Sequence, residues 1–199
     1  VGLNILRSLT DGAKPGVPVH VLLRHALSFD SLTAFRTRLT ELADGPGFAA
    51  ASNIPAADAS GDIASFEIAP SGWSEFAATD GVMVHTNHFL CAPLLHEQAV
   101  MASSLSTEAR LHCAQRYALQ RPIGVATIEA LLRDESDGLL SVCRRPDPAL
   151  PEPVRVESVA GIRIDCTQKR WWIAADVPSQ VGFEEVSTGF EENQQFGLA

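Results

Sequence analysis

Lysine is nearly missing from this chain. Lys14 and Lys169 are the only two in 199 residues, and acidic groups outnumber basic ones to leave a net charge of −9. Without a basic stripe, nucleic acid is not expected as a partner, because clustered cations drive binding to a phosphate backbone. No apolar run approaches the ~20 residues that cross a bilayer, so no membrane partner is expected. No secretory signal opens the chain either. The cysteines are few (Cys91, Cys113, Cys143 and Cys166) and form no Cys-x-x-Cys pair, which argues against a zinc knuckle or a thioredoxin-like site. Their low density fits a reducing compartment, and a cytoplasmic location is the expectation. Most or all of the four read as small buried hydrophobes. A Gly-x-Ser-x-Gly elbow, a phosphate-binding loop and a dinucleotide fingerprint are also lacking, so no cofactor is expected.

What is present is enough chain and apolar content for one large domain with a real core. Gly2 to Leu6 reads as a strand, followed by a loop through Gly16. Pro18 stands where a helix can begin, and Val19, Leu22, Leu23, Ala26 and Leu27 follow with helical spacing. Ser31 caps a second helix whose Leu32, Phe35, Leu39 and Leu42 form one apolar face. The period then shortens. Phe48 to Ala57, Ile63 to Ala69, Trp73 to Ala77 and Val82 to His85 are strand candidates separated by turns at Asp58–Gly61, Pro70–Gly72 and Thr79–Gly81. Helices return at Ser106 to Arg121 and Val125 to Asp134, then a strand at Leu139 to Cys143 and an exposed Pro-rich connection from Arg145 to Pro153. A hairpin, Val156 to Asp165 and Arg170 to Ala175, closes a domain spanning 1–188, and residues 189–199 read as a polar tail. Helices, a meander, helices and a hairpin predict a layered α+β protein rather than a βαβ alternation.

Chemistry-bearing residues concentrate in Gly81-Val82-Met83-Val84-His85-Thr86-Asn87-His88-Phe89. Val82 to Val84 reads as a buried strand that delivers an amide between two histidines at a strand tip. An asparagine N–H donates to an oxyanion without changing protonation state, which acyl transfer needs, so Asn87 is the first site candidate. Ser52 and Asn53 interrupt an alanine-rich strand that would otherwise be buried. Asp58 and Gly61 read as turn formers and Glu67 as a residue on the polar face of the next strand. Ser106 or Thr107 reads as a helix N-cap, with Arg110 on the margin of the apolar face, where its guanidinium could hold a carboxylate or polarise a thiol. His85, His88 and His96 lie near Cys91, yet no acidic residue is placed as a fourth ligand, and no metal is expected.

Several segments together carry a resemblance. They are Val1-Gly2-Leu3-Asn4 to Leu6, Pro15-Gly16-Val17-Pro18-Val19-His20-Val21-Leu22-Leu23-Arg24, Ala51-Ser52-Asn53 with Asp58-Ala59-Ser60-Gly61 and Glu67, Gly81 to Phe89, and Arg170-Trp171-Trp172-Ile173-Ala174 with Phe183-Glu184. In this order they resemble the autoproteolytic acyltransferase/hydrolase family typified by isopenicillin N acyltransferase, the C45 peptidases. The resemblance implies an N-terminal nucleophile hydrolase fold, an αββα four-layer sandwich, here incomplete at its N-terminus. It implies a precursor that cleaves itself, exposing a cysteine whose own α-amino group acts as base, and an N-acyl amide or peptide-like substrate. Acyl-CoA is a possible acyl donor. Asn87 would then be the oxyanion donor and Arg110 the polar arginine near the helix start, while Ser52, Asn53, His85 and His88 would bind substrate or shape the site. The nucleophile would lie upstream of Val1, so this chain would pair with the N-terminal segment of its own precursor and be inactive alone. The rival reading is an inactive relative that keeps the sandwich as a binding or assembly module.

Overall fold

The computed structural model describes residues 1–99 and 104–187, and the polar tail at 189–199 lies outside them. The chain forms two compact units, Val1–Leu111 and His112 onward. Among the described residues there are two sheets, both antiparallel, one in each unit, so the protein is α+β.

The first unit holds β1 (Asn4–Ile5), β2 (Ser52–Ala57), β3 (Ile63–Ala69) and β4 (Gly72–Ala77), in that spatial order. β3 is central, with Ala64 through Ala69 all buried, so it has no solvent face. On one face, Ile54, Ala56, Ala64, Phe66 and Ile68 meet α1 (Val19–Ala26) and α2 (Leu32–Asp44). The helices contribute Leu22, Ala26, Leu32, Phe35, Leu39 and Leu42, and Phe35 sits edge-to-face on Phe66 at 5.1 Å. Each of these leucines and Phe35 contributes about 1.5–3 kcal/mol by leaving water. The predicted cap is present: the Ser31 hydroxyl accepts from the Ala34 N–H at 3.2 Å.

The opposite face of the sheet is different. A small apolar cluster of Leu6, Ala51, Ala69, Phe89 and Leu94 covers part of it. Strand alternation places Asn53, Ser65 and Glu67 on this side, and all three are buried. A polar layer inside a folded protein persists only if its groups satisfy one another.

The segment predicted as a buried strand, Val82 to Val84, joins neither sheet and is only half-buried. Asp80 (φ 50°) and Gly81 (φ 73°) make a tight turn, closed by hydrogen bonds of 2.9 Å in both directions between Thr79 and Val82. Beyond this bridge the chain leaves the ladder. β2 likewise begins at Ser52 rather than Phe48, because Val17 crosses this segment, donating its N–H to the Gly47 carbonyl at 2.9 Å and accepting from the Ala49 N–H at 3.1 Å.

In the second unit, α4 (Val125–Leu132) precedes a sheet of β5 (Gly161–Asp165), β6 (Arg170–Ala174) and β7 (Glu184–Val186). α3 (Ser104–Ala118) begins in the first unit and ends in the second. The predicted hairpin is β5–β6, and β7 was not anticipated: two of its three residues are glutamates, and Glu185 pairs with Arg170 across the ladder. Leu139 to Cys143 is not a strand. Gly138 (φ 56°) opens a single 3-10 turn, and the Cys143 N–H donates to the Asp134 carbonyl at 2.9 Å, so these backbone groups close the end of the α4 region. No helix of the described residues is long and apolar enough to cross a membrane.

Candidate active site

Glu67 organises the polar face. Its carboxylate is fully enclosed and receives His85 Nε2 at 2.8 Å, the Leu90 N–H at 2.6 Å and the Cys91 N–H at 2.9 Å. Burial by itself would push this carboxyl up. The bonds from His85, Cys91 and Leu90 outweigh burial and hold it below the usual carboxylate range. Reading Glu67 as a residue on a polar strand face understated it, since the sheet interior leaves no water to solvate the charge. The available signal was a single ionisable residue inside the run Ile63 to Ala69, otherwise apolar or small.

His85 continues the network. Its ring is 2 % exposed and stacks on Phe76 at 5.7 Å, and its Nδ1 lies 2.6 Å from the Thr86 carbonyl oxygen. The Asn4 amide N–H, 3.3 Å from Nδ1, donates to Asn53 Oδ1 at 2.9 Å. Asn53 in turn donates to Ser65 Oγ at 2.5 Å and to the Phe66 carbonyl at 3.3 Å. Asn53 therefore shapes this face. Ser52, the neighbouring candidate, alternates to the other side of β2, where its buried hydroxyl has no hydrogen-bond partner among the described residues.

Asn87 sits two residues past His85, beside the edge strand β1. Its backbone N–H donates to Thr107 Oγ1 at 2.7 Å. Its Nδ2 donates to the Ile5 carbonyl at 3.0 Å, and its Oδ1 accepts from Arg110 Nη2, also at 3.0 Å. A guanidinium only donates and a carbonyl only accepts, so these partners determine which way the amide faces. The second hydrogen on Nδ2 is not used by the Ile5 bond. Arg110 orients the amide through that bond, and its Nε also reaches Ser106 Oγ at 3.3 Å.

Thr107 ties this loop to α3. Its hydroxyl lies 2.9 Å from Thr86 Oγ1 and 3.0 Å from His88 Nδ1, and its carbonyl accepts from Thr86 Oγ1 at 3.0 Å. Ser106 and Thr107 lie within α3 rather than at its cap, because the helix begins at Ser104. Burial first, and then the charge of His85, hold the His88 imidazole below its ordinary value, leaving it neutral near pH 7.

Cys91 and Cys113 are poor nucleophiles. Cys91 is buried, and burial, reinforced by Glu67, pushes its thiol up to about 12. Burial also raises the Cys113 thiol. Among the described residues, no three His, Cys, Asp or Glu side chains converge in a way that could hold a metal ion.

The structure thus brings Asn53, His85, Asn87, His88 and Arg110 into one connected region with Glu67 and Thr107, and sends Ser52 elsewhere. Comparison with curated proteins gives no match. The model of the family described as acyl-coenzyme A:6-aminopenicillanic acid acyl-transferase matches residues 1–180, and the chain belongs to that family.

Proposed function

We propose that this chain forms the larger part of an amide hydrolase or acyltransferase that works through a thioester on an N-terminal cysteine. The family supports acyl transfer or hydrolysis in general. The observation that carries the finer reading is the clamped amide of Asn87: Arg110 fixes its oxygen, Ile5 takes one Nδ2 hydrogen, and the other is left to donate. A donor held this rigidly loses no reorganisation energy when an oxyanion develops beside it.

In this reading the nucleophile is a cysteine preceding Val1 in the precursor, since the mechanism needs a cysteine with a free α-amine and Cys91, Cys113, Cys143 and Cys166 are all internal residues. Its α-amine takes the thiol proton, and the thiolate adds to the acyl carbonyl carbon of an N-acyl amide or peptide-like substrate. Asn87 donates to the resulting oxyanion. Collapse breaks the C–N bond, the ammonium returns its proton to the leaving amine, and a thioester remains. Water or an acceptor amine then takes the acyl group, and acyl-CoA is an alternative donor. The reading places the chain in the αββα sandwich class, in the cytoplasm, with its own N-terminal precursor segment as partner.

Asn87→Ala in the nucleophile-bearing enzyme tests it. Loss of one oxyanion donor costs about 2.7–4 kcal/mol of barrier, so turnover should fall ~10²–10³-fold. Turnover unchanged in that variant would remove Asn87 from the site. Intact-mass spectrometry of the same enzyme under substrate should show an acyl adduct on the fragment that begins with cysteine, and absence of any adduct under burst conditions would defeat the thioester step.

A further inference from the structure

We propose that Glu67 and His85 form a buried ion pair that acts as the positioning device for Asn87, holding both ends of the loop that carries it. The inference rests on Asn87 being the oxyanion donor.

The geometry is that of a clamp. One carboxylate takes the ring of His85 on the near side of Asn87 and the backbone N–H groups of Leu90 and Cys91 on the far side. The intervening residues join no strand ladder, and Asn87 itself meets the sheet through its side-chain bond to the Ile5 carbonyl of β1. Further anchors are Thr107 and Arg110 from α3 and the Gln98 side chain, which accepts from the Phe89 N–H at 2.8 Å. The Glu67 carboxylate of β3 ties the loop to the four-stranded sheet on both sides of Asn87.

The ring must carry both protons to satisfy this arrangement. Nε2 faces the Glu67 carboxylate at 2.8 Å, and Nδ1 faces the Thr86 carbonyl at 2.6 Å. Either neutral tautomer would leave a ring lone pair aimed at an acceptor oxygen. Moving the shared proton onto Glu67 is disfavoured, because Leu90 and Cys91 already direct two N–H dipoles at that carboxylate. Of the other groups against the ring, the Phe76 face is stacked on it, the Asn4 amide nitrogen gives one hydrogen to Asn53 and lies 3.3 Å from Nδ1, and burial holds the His88 imidazole below its ordinary value. No amide can replace Glu67. Oε1 accepts from two donors and Oε2 from one, so a glutamine would aim an N–H at an N–H in either orientation.

A double-mutant cycle with Glu67→Gln and Asn87→Ala, in the nucleophile-bearing enzyme, separates positioning from general damage. A donor displaced by about 1 Å can cost ~10²-fold, and Glu67→Gln should lower kcat by about that factor with KM little changed. In the Asn87→Ala background the same substitution should change kcat by less than about twofold, because nothing is left to position. Glu67→Asp, which keeps the charge, should recover part of the loss. If Asn87→Ala lowers kcat and Glu67→Gln adds its full effect on top, the clamp is refuted while the oxyanion reading stands. If Asn87→Ala has no effect, the oxyanion reading itself fails. Should Glu67→Gln fail to fold, nitrogen NMR of the unsubstituted protein decides the ion pair: both ring nitrogens of His85 protonated at neutral pH supports it, and one unprotonated nitrogen overturns it.

Discussion

Replacing Gly16 with alanine should destabilise this protein more than any other exchange of one hydrogen for a methyl group at a described glycine. A Cβ built on Gly16 would lie 2.4 Å from the Phe48 carbonyl carbon, 2.6 Å from the Ala49 nitrogen and 2.8 Å from the Phe48 oxygen. All three are backbone atoms, so no rotamer change relieves the contact, and carbon atoms normally sit about 3.5–4.0 Å apart. The two segments must therefore separate by about 1 Å. That movement strains the bonds that clasp them: Val17 N–H to Gly47 O at 2.9 Å, Ala49 N–H to Val17 O at 3.1 Å and Gly12 N–H to Ala49 O at 3.0 Å. Overpacking typically costs about 1–3 kcal/mol, and each weakened bond adds up to about 1 kcal/mol. A loss of about 3 kcal/mol is expected. Urea unfolding followed by far-ultraviolet circular dichroism would show a lowered midpoint at an unchanged slope. Gly182→Ala is the matched control, since nothing lies within 4 Å of its added Cβ and its backbone angle is one that alanine tolerates. If Gly16→Ala falls within 0.5 kcal/mol of the control on the ~1 kcal/mol scale of ordinary substitutions, the close-approach argument is wrong.

Acid and alkylation supply further expectations. The Asp58 carboxylate, bonded to Ser60 and to the Leu32 N–H at the start of α2, is held down at about 2 from an ordinary 3.8. A lowered folded value means that its contribution is complete above about 4 and disappears as pH falls from 3.8 towards 2. Asp58→Asn should accordingly flatten the loss of thermal stability across that interval, and an identical acid profile in both proteins would refute the assignment. Iodoacetamide at pH 8 should label Cys166, the exposed cysteine, and leave Cys91 untouched, because the Cys91 thiol is buried and pushed up to about 12. Peptide mapping that found Cys91 modified in the native protein at a comparable rate would contradict its enclosure.

Much of the fold was legible because local spacing and burial agree. The apolar repeat Leu32, Phe35, Leu39 and Leu42 with Ser31 before it could only be a capped helix covering a core, and α2 is that helix. The turns at Asp58–Gly61 and Asp80–Gly81 bracketed strands and turns close to where they occur, because positive φ restricts the residues that can stand there. Val82 to Val84 shows the opposite case. Its β-branched residues suit a strand, but whether a strand forms depends on a neighbouring edge with free backbone groups, which no local pattern reports. Leu139 to Cys143 failed for the same reason, its backbone being committed to the end of the α4 region.

The candidate site divides along the same line. The residues themselves determined that an amide lies between two histidines, and the order of segments pointed to the family whose model spans residues 1–180. Only the tertiary structure decided that Ser52 and Asn53 face opposite sides of β2, that Arg110 orients the Asn87 amide, and that Glu67 is enclosed with three donors converging on it. Chain neighbours dictate conformation through sterics acting over a few residues. A buried charge, by contrast, is made tolerable by partners in other elements, His85 and the Leu90 and Cys91 amides in this case, and those become neighbours only when the sheet and its crossing loop have closed.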